Sequence, residues 1–303
     1  MDKYSIFFKD QCTVLLNKVI NTIYDDLEAF KYIPLAPAEG RGVDTIKWRK
    51  FTAVGIAKII SEYATDIPSV EEYGEEVEAK VFHVATSFGW NKWELDRGIR
   101  AGVDVTNRKD SIARQALETK VDQLAWYGDK KHKINGFVNY PGITKHTLAT
   151  GTSSHKGWKT KTPIEIVNDV TDMVTSMMEI TGNKEKPNTL LLPYSLYRLI
   201  TTKYVDPNYE VSVLDLIKKN NPMLTTIDGI AALENASDTK KARIMMYNNS
   251  SDKLEFHMPV PLDMEDMEKK GFRYSKALTS DVGGVTIYYP QSVCYADDAD
   301  ANE

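Results

Sequence analysis

Five histidines, His83, His132, His146, His155 and His257, are the side chains of this 303-residue chain best suited to hold a transition metal or to pass a proton near neutral pH. No two of them stand four residues apart on a helical pattern, and only Cys12 and Cys294 exist to support them. A metal site therefore has no sequence handle, and surface or packing roles are expected for these histidines. Gly151-Thr-Ser-Ser-His-Lys-Gly157-Trp-Lys159 comes nearest to a phosphate-cradling loop, but its lysine is wrongly spaced and no strand leads into it, so it reads as a plain surface loop. No serine occupies a Gly-x-Ser-x-Gly elbow. The carboxylates Glu71, Glu72, Glu75, Glu76 and Glu78 form a run of like charge, which suits a solvated or partner-facing edge better than an acid/base dyad. No catalytic residue, cofactor or metal is expected, and the chain reads as structural, not enzymatic.

The elements that hold these residues belong to an ordinary globular protein. Apolar residues make up 42% and charged residues 27%, and the formal net charge is -5. A dedicated nucleic-acid binder is usually basic. Two cysteines at opposite ends of the chain read as free thiols in a reducing compartment. The first twenty residues lack a secretory pattern, and no window approaches about 18 consecutive apolar residues, so nothing is expected to enter a membrane.

Leu15, Leu16, Val19, Ile20, Ile23 and Leu27 have helical spacing and precede a Pro/Gly-rich strap, Pro34 to Gly42. Strand character at 45–52 and 76–83 predicts a long hairpin, interrupted by an excursion, Gly55 to Pro68, too long for a turn. A short helix over 91–101 and a long one over 106–127 follow, the latter with Ile112, Ala116, Leu117, Val121, Leu124 and Ala125 as its apolar stripe and Gly128 as its stop. Helices are predicted at 163–180, 195–203 and 213–220, and strands at 189–192, 243–247 and 253–258. Two last strands, 272–278 and 285–289, read as joined across Gly283-Gly284, with a frayed tail from Ala296. The order is α+β, without a βαβ rhythm.

The hairpin is electrically asymmetric. Lys47, Arg49 and Lys50 lie on the first strand, and Glu75, Glu76 and Glu78 on the second. They can pair across the hairpin or seat it on a neighbouring subunit. Arg108, Lys109 and Arg114 on the long helix, and Lys130, Lys131 and Lys133 beyond it, can meet nucleic-acid phosphates or simply form a solvated face shared with Asp110, Glu118 and Asp122.

An ordered set of local stretches adds a family to this reading: Ala64-Thr-Asp-Ile-Pro68, Gly74-Glu-Glu76, Phe88-Gly-Trp90, Arg108 through Gly128-Asp129, Gly136 to Gly142, Pro187 to Pro193, and Gly283-Gly284-Val285 through Tyr289-Pro290. Together they resemble the major capsid proteins of tailed phages with the Hong Kong 97 fold, in a subfamily similar to encapsulins. The resemblance covers nearly the whole chain.

It implies an N-terminal arm (1–45), an extended loop (46–90), a peripheral domain with a spine helix (91–187), an axial domain (188–265) and a return to the peripheral domain (266–303). It further implies a homo-oligomer of pentamers and hexamers in an icosahedral head around double-stranded DNA, assembled in a bacterial cytoplasm, with a separate scaffolding protein and a portal. An encapsulin-type nanocompartment is the alternative. One relative joins its subunits through a lysine of the extended loop and an asparagine of the returning strands. Lys47, Lys50 or Lys58 offers the amine here, but Lys270-Gly-Phe-Arg-Tyr-Ser275 has no asparagine, so no covalent cross-link is expected.

Overall fold

The computed structural model describes residues 28–54, 71–102, 104–205, 211–297 and 299. The amphipathic stretch Leu15 to Leu27, Cys12, Lys58 and the Gly55 to Pro68 excursion lie outside the described residues.

A single turn, α1 (Ala29–Tyr32), is held to the long helix by the Ala29 N–H, which donates to Asp122 at 2.9 Å. The hairpin strands β1 (Thr45–Val54) and β2 (Glu71–Lys80) run straight into β3 (Phe82–Asn91). Asn91 caps α2 (Lys92–Ala101), accepting from the Glu94 N–H at 3.0 Å. The spine, α3 (Val105–Tyr127), is capped by Asp104, which accepts from the Thr106 and Asn107 N–H groups. Gly128 ends it at φ +63, where an added Cβ would lie 2.2 Å from the Ile134 carbonyl oxygen. Three short strands follow: β4 (Gly128–Asp129), β5 (Ile134–Asn135) and β6 (Thr144–Lys145).

Thr162, Pro163 and Glu165 form a capping box that starts α4 (Pro163–Ile180) at its sequence-predicted position. Then come β7 (Thr189–Pro193), α5 (Tyr194–Thr202) and α6 (Val213–Asn220), the last begun by a second capping box, Ser212 with Asp215. The rest is β8 (Thr226–Ile230), β9 (Ile244–Tyr247), β10 (Leu254–His257), β11 (Val260–Met264), β12 (Glu268–Lys270), β13 (Arg273–Val282), β14 (Gly284–Ile287) and β15 (Val293–Ala296).

Five strands form one sheet in the order β6-β15-β9-β7-β8. Its inner strands β15, β9 and β7 are covered on both sides, so they are continuous buried runs in which alternate residues face different cores. Leu190, Leu192, Ile244, Met246, Cys294 and Ala296 pack with α4, α5 and α6. Leu191, Met245, Tyr247, Val293 and Tyr295 face the other way, toward Val121, Leu124 and Trp126 of α3 and toward Phe137. Helix α4, assigned from sequence to the 91–187 unit, and strand β15, assigned to the 266–303 return, thus pack with the 188–265 segment.

Several other expectations need correction. The buried stripe of α3 is Ala113, Leu117, Val121, Leu124 and Ala125, whereas Ile112 is 49% exposed and Ala116 lies outside the core. Ala113 and Leu117, one turn apart, meet Phe88, Trp90 and Leu278 of β3 and β13, and Ile112 and Ala116 sit one residue round the helix from them. Strands β13 and β14 do not pair with each other: β13 pairs with β3, β11 and β12, and β14 with β10. At Gly284 (φ +82) an added Cβ would sit 2.8 Å from Ile134 Cγ2, so the glycine lets the chain leave one sheet and enter another. Of the tail expected to fray, Ala296 lies in β15, Asp297 pairs with Arg243 and Ala299 accepts from the Trp158 N–H at 2.8 Å, while residues 298 and 300–303 lie outside the described residues.

The loop from Gly151 to Lys159 is not a plain surface loop. Trp158 is fully buried and donates its indole N–H to Asp169 at 2.9 Å. Glu165 accepts from the Thr152 N–H at 2.8 Å and the Thr162 N–H at 2.7 Å, and these bonds, Thr152 first, pull its carboxyl down to about 2. A depressed carboxyl adds stability that is present above its ordinary value and lost as pH falls through the folded one. Melting temperature should therefore fall more steeply from about pH 4.5 to about pH 2 in the native chain than in Glu165→Gln. Equal slopes would show that the loop is held by Trp158 alone.

Candidate functional site

The β1–β2 hairpin is a long two-stranded sheet that joins none of the larger sheets. Its ladder runs from Thr45↔Lys80 to Val54↔Glu71 without a bulge. Because opposed residues share a face and faces alternate, the ladder sorts its side chains into two sets. Ile46 with Ala79 and Trp48 with Val77 look toward the body. There Trp48 meets Tyr288 edge-on at 5.8 Å, and Ile46 Cδ1 lies 3.1 Å from the Cβ position of Gly283. Lys47 with Glu78, Arg49 with Glu76, and Phe51 with Gly74 look outward.

The six charged residues singled out from sequence are therefore not one surface. Lys47 bridges Glu76 at 3.2 Å and Glu78 at 3.6 Å on the outer face, and these contacts, Glu76 first, raise its pKa. Lys50 and Glu75 oppose each other on the inner face. Pairing within the hairpin does occur at Lys47. Pairs this exposed contribute little to stability, and their charges stay available to a second molecule.

The hairpin is rooted at the start of β3. Val81 breaks the ladder, its N–H donating to the Asp44 carbonyl at 3.0 Å, and from Phe82 onward the chain pairs with β13. The strand predicted over 76–83 thus belongs to two sheets. Next to this junction His83 contacts Asp281 at 2.5 Å, a hydrogen bond that raises the imidazole pKa. Beside it a cleft of about 600 Å³ opens between Trp48, Val77 and Phe82 on one side and Lys131, Lys133 and Tyr140 on the other.

The basic residues divide likewise. Lys109 donates to the Gly89 carbonyl at 2.9 Å and to Glu94 at 2.6 Å, and Arg114 pairs with Asp110 at 2.9 Å one turn away. Both are engaged inside the subunit. Arg108 is exposed, as are Lys130, Lys131 and Lys133 on the β4–β5 turn, where His132 is fixed by Asp129 at 2.7 Å. The structure does not bring the two basic groups into one contact set.

The sequence profile of the major capsid protein family matches residues 55–298, most of the chain. This chain belongs to the major capsid protein family. The capsid of Myoviridae phage XM1 has a similar structure, with a TM-score of 0.81 at 17% identity over 96% of this chain and 98% of that one. The Mycobacterium phage Bobi structure gives 0.60 at 15% identity over 94% of each chain. A virus-like particle from Pyrococcus furiosus gives 0.54 at 14% identity over 88% of this chain and 91% of that one. No curated protein matches the chain by sequence. The fold is of the Hong Kong 97 type, and membership of the family makes the protein a structural component of a capsid.

The capsid subunit carries a further surface that sequence reasoning passed over. Trp93 and Phe272 are 53% and 62% exposed and lie against each other with ring centroids 5.0 Å apart. A local signal existed, since Phe272 follows a turn glycine between Lys270 and Arg273, a poor place for an aromatic without a partner. No helix among the described residues is long and apolar enough to cross a membrane.

Proposed function

We propose that this capsid protein closes an icosahedral phage head from pentamers and hexamers around double-stranded DNA, each hairpin lying on an adjacent subunit. The observation that carries this is the β1–β2 ladder: ten pairs long, rooted on the body at one end, and with Phe51 62% exposed toward its far end. A protruding two-stranded element with free edges is marginal by itself and gains its stability from a partner. The body built on the five-stranded sheet, residues 188–265 with α4 and β15, takes the axial position, and β3, α3 and β13 form the peripheral part. A separate scaffolding protein and a portal complete the assembly. Arg108, Lys130, Lys131 and Lys133 make salt-sensitive, sequence-independent contacts with packaged DNA.

Electron microscopy of the expressed protein should show closed particles; a chain that stays monomeric at high concentration would refute the reading. Reversing Glu75, Glu76 and Glu78 to lysine together should abolish particles and leave the melting temperature of the subunit within a few degrees, since surface substitutions cost roughly 0.5 kcal/mol or less. Normal particles from that variant would remove the hairpin's charges from the assembly mechanism.

A further inference from the structure

Glu39, His257, Tyr288 and Glu255 form a line with a carboxylate at each end. Nδ1 of His257 lies 3.1 Å from a Glu39 oxygen, its Nε2 lies 3.3 Å from the Tyr288 hydroxyl, and that hydroxyl donates to Glu255 at 2.9 Å. The imidazole is buried, its side chain 6% exposed.

These three contacts need three protons. A carboxylate only accepts, so Nδ1 must donate to Glu39 and the phenol to Glu255, which leaves Nε2 to donate to the phenol oxygen. Burial first, and Glu255 next, push the Tyr288 phenol well above its ordinary value, so it keeps its one proton and has no second to give. The line is therefore complete only while the imidazole carries both of its protons. With one, the ring and the phenol together can satisfy two contacts of the three.

The strap holds the end of the line that gives way. It runs beside β10, where the Ala36 N–H donates to the Phe256 carbonyl at 3.0 Å, the Phe256 N–H to the Pro34 carbonyl at 2.8 Å, and the Gly40 N–H to the Pro259 carbonyl at 3.1 Å. Glu39 sits between these anchors with its side chain 29% exposed, so it can turn to water, whereas Glu255 is part of β10 itself. Arg41 pairs with Asp263 just beyond, and β1 begins at Thr45.

We propose that His257 is a pH-sensitive latch: with both ring protons it fixes the strap through Glu39, and with one it lets Glu39 go, which loosens the strap and the start of the hairpin. The titratable groups that face the ring are Glu39 from the strap and Tyr288 from the chain after β14, with Glu255 of β10 and Tyr140 beyond the phenol. From β1 come the apolar Ile46 and Trp48. Histidine changes charge between about pH 5 and 8, so the latch is closed at the lower end and open at the upper.

Amide hydrogen exchange of the native chain tests this, read by mass spectrometry on peptides covering 34–42 and corrected for the intrinsic pH dependence of exchange. Protection there should fall by about tenfold from the lower end of that range to the upper, the effect of one charge-assisted bond, while peptides from β7 hold theirs. Glu39→Gln should abolish the dependence and keep the strap protected throughout, because its amide donates to Nδ1 when the ring has one proton and accepts from it when the ring has two. Tyr288→Phe should abolish it as well, since the remaining contact between Glu39 and Nδ1 needs one proton only. The native pH series needs no substitution, so it decides the matter even where a variant fails to fold. Strap protection that does not change with pH, a Glu39→Gln chain that keeps the native slope, or a response confined to hairpin peptides beside His83 and His132 would each overturn the latch.

Discussion

Asp297→Ala should cost the subunit about 3–5 kcal/mol, enough to consume much of the stability of an ordinary domain. Arg243 is 1% exposed; its Nε and one terminal nitrogen donate to Asp297 at 2.6 and 2.8 Å, its other terminal nitrogen donates to the Val138 carbonyl, and its guanidinium lies 4.6 Å from the Tyr295 ring. Removing the carboxylate leaves a guanidinium that is itself 1% exposed without its counter-ion. Arg243→Met should cost less, because Asp297 is 21% exposed and has Lys145 at 3.8 Å, and a methionine fills the vacated space. Urea unfolding of the two variants checks the order. If Asp297→Ala came within about 1 kcal/mol of the native chain, the ion pair would be ornamental.

A second large effect is expected at Lys161. Its ammonium lies 2.5 Å from Asp169, with the two side chains 1% and 2% exposed, and Asp169 also accepts the Trp158 indole N–H. Burial already raises the Asp169 carboxyl above its ordinary value, and Lys161 opposes that rise. Lys161→Met removes the opposing charge and should cost about 3–5 kcal/mol near neutral pH. A carboxyl raised in the folded state contributes stability below its unfolded value, which is lost as pH climbs through the folded one. The gap between variant and native chain should therefore narrow from pH 7 toward pH 4. Adding Asp169→Asn should recover part of the loss at pH 7, since the amide oxygen still accepts from Trp158. A gap that did not change with pH would mean that the carboxylate was not the source of the cost.

Where the determinants are local, the chain is readable in advance. Thr162-Pro163 with Glu165, and Ser212 with Asp215, mark the starts of α4 and α6 to the residue because a cap is satisfied by its own next turn. Gly128 marks the end of α3 for the same reason. Strand β15 is different. Val293-Cys-Tyr-Ala296 is four residues long and buried on both faces, so it lacks the alternation that identifies a strand, and its partners, β9 and β6, lie far away in sequence. The charges of the hairpin were legible, but their sorting into two faces depends on the register Lys47↔Glu78, which no local pattern sets. Trp93 and Phe272 became neighbours only through the pairing of β3 with β13, and nothing in either segment alone announces the other.

The position of β15 between β6 and β9 also sets a clock. During synthesis β9, β7 and β8 emerge early and can pair, yet the strand that joins them to β6 is made after all the others, and with it Asp297, the counter-ion of Arg243. Long-range pairings of this kind are slow to form. A nascent chain therefore carries an unfinished core until residues 293–297 have left the ribosome, and competence to join a shell waits for them. Fragments released early would lack the keystone strand and would not enter the lattice.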